Sequence, residues 1–148
     1  MASSTPHVIV LQVNGLERPV FEKQAKLATA KPGHLLELST GKVQVQGTAG
    51  ADVVRMVAVE HGFRNTSGTT LNIDTAYAAD EIVPFIYPQA GDLLYMVLKS
   101  GQNVAAGAKL EAATGGEVQA ITTGALIGIA EEAADASAAA VRIKVRMA

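Results

Sequence analysis

The sequence has no cysteine and no tryptophan, and among its 148 residues only three are Phe and three Tyr. Without cysteine there can be no disulfide and no thiolate-ligated zinc or iron. With so few aromatics, Val, Leu, Ile and Ala must fill whatever core the 49% hydrophobic fraction builds. Charge of one sign is also scarce: 12 basic residues face 14 acidic ones, a net charge of −2. No window clusters Lys and Arg as a phosphate-binding surface requires, so no nucleic-acid partner is expected. No apolar run is long enough to cross a bilayer, and Met1-Ala2-Ser3-Ser4-Thr5-Pro6 lacks the basic-then-apolar pattern of an export signal. A soluble, unexported chain with no membrane partner is expected. The length suits one domain, able to bury about two-thirds of the surface that its unfolded chain exposes.

Short β-strands are what the sequence does contain. His7–Val13 is rich in β-branched residues and ends at the turn pair Asn14-Gly15. Residues 16–33 are less regular. Phe21–Ala30 has room for one or two helical turns, but Pro19 and Lys31-Pro32-Gly33 bracket it with breakers, and the stretch reads as an arm or long loop. Two strand-like runs, His34–Leu38 and Lys42–Gln46, flank Ser39-Thr40-Gly41 and predict a hairpin with a three-residue loop. Val53–Val59 reads as a strand, with helix as the competing assignment, and Arg64–Thr70 as a polar loop. Ile82–Tyr87 is a strand whose Pro84 fits an edge or a bulge. Leu93–Leu98, Lys109–Ala112, Glu117–Ile121 and Leu126–Ala130 continue as a meander. Val141–Met147 alternates Val141, Ile143, Val145 and Met147 against Arg142, Lys144 and Arg146, giving two distinct faces. Ala133–Ala140 is alanine-rich, yet Asp135 and Ser137 break any apolar stripe, so at most a short helix is expected there.

One internal echo stands out. Gly33, Leu36, Glu37, Thr40, Gly41, Val43 and Gln44 recur in order as Gly107, Leu110, Glu111, Thr114, Gly115, Val118 and Gln119, with one extra glycine in the second turn. Two similar hairpins follow, either from an internal repeat or because hairpins draw on few residue types. Both explanations support an all-β sandwich or barrel.

Residues for chemistry are sparse. His7, His34 and His61 are far apart and form no metal-binding pair, and His34 reads as a packed or edge histidine. Glu131 and Glu132 would point to opposite faces of a strand, so together with Asp135 they read as a solvated acidic loop, as do Asp80 and Glu81. Asn65-Thr66-Ser67 fits a glycosylation pattern but, with no export signal, marks only a polar loop. No phosphate-binding glycine loop and no nucleophile elbow is present. Neither enzymatic activity, nor a cofactor, nor a metal is expected. Gly101, Val104, Gly107 and Leu110 have the cadence of biotinyl and lipoyl carrier domains, without the modifiable lysine at a hairpin tip.

The segments taken in order resemble the structural cement, or head-decoration, proteins of tailed phages. The resemblance runs through Val8-Ile9-Val10, Lys31-Pro32-Gly33-His34-Leu35-Leu36-Glu37-Leu38 and Lys42-Val43-Gln44-Val45-Gln46-Gly47-Thr48-Ala49-Gly50. It continues in Thr75-Ala76-Tyr77-Ala78-Ala79-Asp80, Ile82-Val83-Pro84-Phe85, Gly91-Asp92-Leu93-Leu94-Tyr95 and Gly101-Gln102-Asn103-Val104-Ala105-Ala106-Gly107 with Leu110-Glu111, and closes on Ile127-Gly128-Ile129-Ala130-Glu131 and Val141–Arg146. Ala79-Asp80, where such proteins more often carry Gly-Asp, and Ala58-Val59-Glu60, where they often carry Ala-Leu-Glu, depart from the pattern.

The resemblance implies a capsid protein on the virion exterior, assembled in the host cytoplasm and partnered by the major capsid protein and by neighbouring copies of itself, as dimer or trimer. Another β-rich virion subunit, such as a head-fibre base or tail component, is the alternative, with a biotinyl- or lipoyl-like barrel behind it. The expected organisation is an N-terminal arm with one strand over residues 1–32, then a β-sandwich or barrel, possibly jelly-roll-like, over 33–148. Val8, Val10, Arg18, Phe21, Lys23 and Lys26 of the arm are the candidate capsid contacts.

Overall fold

The computed structural model describes residues 6–61 and 72–148; the loop read at Arg64–Thr70, with Asn65-Thr66-Ser67, lies outside them. The fold is nearly all β, with no helix of seven residues or more among the described residues, as the strand-and-turn pattern predicts.

Alternation builds the first of two closed rings of strands. It comprises β7 (Leu93–Leu98), β9 (Lys109–Ala112), β10 (Val118–Ala120), β11 (Gly128–Ala130) and β13 (Val141–Met147). β7 pairs with β13, β13 with β11, β11 with β9 and β9 with β10, all antiparallel. A parallel contact of Val118 with Leu98 then returns β10 to β7 and closes this C ring. Every second residue points inward, and Leu94, Met96, Leu98, Leu110, Val118, Ile143 and Val145 are fully buried there.

The second ring, the N ring, comprises β2 (Phe21–Gln24), β3 (Leu35–Ser39), β4 (Lys42–Val45), β5 (Met56–Ala58) and β6 (Ile82–Ile86). The antiparallel pairs β2–β6, β6–β5, β5–β3 and β3–β4 are closed by a parallel bridge between Ala25 and Val43, with Lys26 N donating to Val43 O at 2.8 Å. Ala25, Leu36, Val43, Met56, Ala58, Val83 and Phe85 pack inside with Tyr77. Leu35, Val57 and Ile86, on the opposite face, join the core of the C ring. Closure leaves few free strand edges.

The rings are two copies of one design. In chain order the strands match as β2 with β7, β3 with β9, β4 with β10, β5 with β11 and β6 with β13, and the pairing order is the same. The registers coincide: Leu36 faces Met56 as Leu110 faces Gly128, and Phe21 faces Phe85 as Leu94 faces Val145. Main-chain bonds outside the ladders coincide too. Gly33 N donates to Ala58 O as Gly107 N does to Ala130 O, both at 2.7 Å. Val59 N donates to Pro84 O at 3.0 Å as Glu131 N does to Lys144 O at 2.9 Å. Even the echoed side chains pair alike: Gln44 Nε2 donates to Glu37 Oε1 at 2.7 Å, and Gln119 Nε2 to Glu111 Oε1 at 2.8 Å. The echo is one part of a repeat that covers both rings.

Three further pieces complete the chain. β1 (Val10–Gln12) adds antiparallel to β7 beside β10. β8 (Asn103–Val104) pairs with β12 (Ala134–Asp135) as a small ribbon. The rings meet closely at Gly50 and Gly124, where Gly50 N donates to Ala112 O and Ala125 N to Gly50 O. A Cβ on Gly124 would fall 2.2 Å from the Gly50 Cα, so only glycine fits.

Several expectations need correction. The stretch 16–33 is not a free arm, since β2 is an integral N-ring strand and Ala25 and Ala30 are fully buried. The described part of the expected arm thus carries two strands, one on each ring. The first strand spans Val10–Gln12 rather than His7–Val13, and Val53–Val59 is a strand only at Met56–Ala58. The hairpin loop has two residues: Ser39 pairs with Lys42, and Thr40 and Gly41 take φ of 51° and 78°, the double positive turn that suits strand twist. Ala133–Ala140, where at most a short helix is expected, stays within that bound: it holds β12 and a turn in which Ser137 N donates to Asp135 Oδ1. The C-terminal strands close a ring instead of running as a meander, because β7 takes β13 and β10 as neighbours.

Pro84 lies on an interior strand, between β2 and β5, rather than on an edge. Its carbonyl accepts from Val59 N, one residue past the end of β5. Its missing N–H would point toward the Val59 carbonyl, which instead accepts the Tyr77 hydroxyl at 2.6 Å, so that acceptor is not left unpaired.

Candidate functional site

The N-terminal lead runs along a concave, largely apolar surface. Val8, Val10, Leu11, Val13, Val20, Val59 and Ile86 line an open groove of about 590 Å³, with Gln12, Glu17, Arg18 and Glu60 as its polar groups. Glu60 Oε2 accepts the N–H of Ile9 at 3.0 Å and so ties the start of the lead to the N ring.

Arg18 anchors the far side. Its Nε and Nη2 grip Asp92 Oδ2 and Oδ1 at 2.8 and 3.0 Å, while Nη1 and Nη2 also reach the carbonyls of Leu16 and Asn14. Asp92 is fully buried and also accepts from Asn14 N and Gln89 N. Burial by itself would raise its pKa, but the Arg18 guanidinium and these two N–H groups outweigh that and hold it below the usual range. Arg18 is thus an internal clamp between the lead and the turn before β7, not a free cation awaiting a partner.

The other candidates divide. Val8 and Val10 line the groove together with Arg18. Phe21 lies beside it at the start of β2, half-exposed, stacked on Phe85 at 6.0 Å and edge-on to Tyr87 at 5.2 Å. Lys23 is half-buried opposite Val83. Lys26 is exposed on the N ring and donates to Ser39 Oγ at 2.7 Å. Sequence reasoning did not assign Val59, Glu60, Ile86, Tyr87 or Asp92 to this surface. Only the turn pair Gly91-Asp92 gave a local signal, and that signal was for a turn.

A smaller cleft of about 280 Å³ lies at the ring junction, lined by Lys31, His34, Asp74, Glu117 and Arg142 among others. Arg142 fastens the rings there. It donates to Pro32 O at 2.6 Å and to Ile73 O, meets Asp74 Oδ1 at 3.4 Å and lies 5.9 Å from the Tyr95 ring centre. His34 is 8% exposed and its Nδ1 accepts the Lys31 N–H at 3.2 Å, a packed histidine in a neutral state. Burial first, then Arg142 and Lys31, lower its pKa to about 4. Because the folded state resists this proton, unfolding takes one up between pH 6.5 and 4. Stability from this group is full above pH 6.5 and falls toward pH 4, by about 3 kcal/mol in all. Urea titrations across this range are expected to show that slope, and His34→Asn, which keeps an acceptor for Lys31, to flatten it; an unchanged slope would refute the assignment.

Glu111, 2% exposed, is a further buried titratable group where the rings meet. The Gln119 amide, then Thr122 and the Gly124 N–H, prevail over burial and hold its pKa near 2. Its four bonds shape the turn that carries Gly124 against Gly50. Among the described residues no three His, Asp or Glu gather as a metal site. No protein-family model matches the chain, and no curated protein matches it.

Proposed function

We propose that the protein is a capsid cement subunit that binds the outside of a phage head and stabilises the lattice of the major capsid protein. The observation that supports this reading is the apolar groove of the N-terminal lead, where Val8 and Val10 lie beside Val20 and Ile86. It is broad, open and lined chiefly by aliphatic side chains, a surface suited to an extended protein segment rather than to a small polar substrate. Around it Arg18 fastens the lead to the turn before β7, and Arg142 fastens the two closed rings to each other. The ordered sequence resemblance to decoration proteins agrees.

A subunit that binds only the assembled lattice stabilises it by mass action. Incubating the protein with undecorated heads is expected to give stoichiometric co-sedimentation and to raise the temperature of head disruption. Val10→Asp, which places a charge in the groove, is expected to weaken binding at least tenfold while the protein stays folded. Heads that never bind the wild-type protein would remove this reading.

A further inference from the structure

The two rings act as internal controls for each other. In the C ring the main-chain groups of Leu93 and Tyr95 face β1: Tyr95 N donates to Ile9 O at 2.8 Å, and Gln12 lies opposite Leu93. Their counterparts in the N ring are Val20 and Glu22. Glu22 lies opposite Pro84, whose carbonyl turns to Val59, so Glu22 directs its own N–H and C=O away from β6. Among the described residues no strand lies beside them. Side chains report the same difference. Phe21 and Tyr87 are 45% and 38% exposed, whereas Leu94 and Met147, at the matching positions, are 0% and 3% exposed. Among the described residues the N ring has no strand that covers it as β1 covers the C ring.

We propose that this edge is covered by the same edge of a second copy, β2 against β2 antiparallel across a two-fold axis. Only Val20 and Glu22 offer outward main-chain groups, which restricts the registers. Pairing Glu22 with Glu22 places like charges opposite each other, and pairing Glu22 with Gln24 places Lys23 opposite Lys23; both are unfavourable. Pairing Val20 with Val20 sets Glu22 opposite Arg18, which lies outside β2 in its clamp with Asp92, so only the Val20 groups find strand partners. The register that sets Phe21 against Phe21 on the axis lets both Val20 and Glu22 exchange hydrogen bonds with their mates. It juxtaposes no like charges and stacks two phenyl rings, each already backed by Phe85. The interface shares only Val20 with the groove assigned to the capsid and does not depend on that assignment.

Sedimentation velocity over a concentration series up to several hundred micromolar is expected to show a species of twice the 15.3 kDa chain mass. Glu22→Pro removes the outward N–H without touching a β2–β6 bond, and is expected to weaken dimerisation at least tenfold with an unchanged melting temperature. In this cysteine-free chain Phe21→Cys gives one thiol, which the Phe21 register brings to about 4.5 Å Cα–Cα from its mate, within disulfide reach. Mild oxidation is expected to cross-link it, and to cross-link Glu22→Cys far more slowly. A wild-type protein that stays monomeric throughout overturns the proposal, as does a dimer indifferent to Glu22→Pro whose Phe21→Cys variant fails to cross-link. Should proline at 22 unfold the ring, the cysteine variants decide alone. Dimers that fail to bind heads would remove the capsid reading and leave this one standing.

Discussion

Deleting residues 1–30 is expected to abolish the N ring and to destabilise the protein by more than about 5 kcal/mol, the lower end of a domain's whole stability. The deletion takes β1 from β7 and β2 from between β6 and β4. It strips the cover from Val83, Phe85 and Val43, all buried in the N ring, and removes Ile9, which is buried against the C ring. Each large apolar side chain so exposed costs about 1.5–3 kcal/mol. The ladder partners of Ile82–Phe85 go as well. Chemical denaturation followed by circular dichroism measures the loss. A truncated protein that unfolds within a few degrees of the full chain would restore the free-arm view of the lead, and with it a lead whose ordering depends on a capsid.

The second large effect concerns Asp92. Asp92→Ala is expected to cost about 3–5 kcal/mol, because it leaves the Arg18 guanidinium, with 8% of its side chain exposed, without its carboxylate. The N–H groups of Asn14 and Gln89 lose their acceptor too. Arg18→Met should cost less than Asp92→Ala, since the carboxylate would keep two of its donors. The order of the two variants in urea midpoint tests the clamp: equal losses of under 1 kcal/mol would show the pair to be an ordinary surface ion pair.

How far the sequence disclosed this arrangement depends on whether a segment's partners are local. β7, β9 and β13 agree with the sequence reading to the residue, since each shows its inward face by strict alternation or sits between clear glycine turns. β2 was missed. Its inward residues are Phe21, Lys23 and Ala25, and a lysine in the middle hides the alternation that would mark a strand. What makes it one is ring closure between Ala25 and Val43, a contact across the chain that no local pattern reports. The repeat was half legible for a related reason. The hairpins kept Glu37 with Gln44 and Glu111 with Gln119, whereas the other strands kept only their main-chain pairing while their side chains diverged. Within the candidate site, Val8 and Val10 were found from their apolar character. Arg18 was assigned to the surface because nothing in its neighbourhood shows Asp92, 74 residues on, as its partner.

That divergence bears on how the chain finds its fold. Two tandem rings with one topology invite exchange, in which a strand of one half adds to the other half while both are incomplete. β2 would enter the β7 position with the right register and the right hydrogen bonds. It would then set Lys23 where Met96 is fully buried and Ala25 where Leu98 is, an uncompensated charge in one layer and a void in the next. The reverse exchange would press Leu98 into the space of Ala25, against Val43. The inward side chains, alike in position and unlike in size and charge, therefore act as a proofreading code during folding, one that the shared backbone pattern cannot supply.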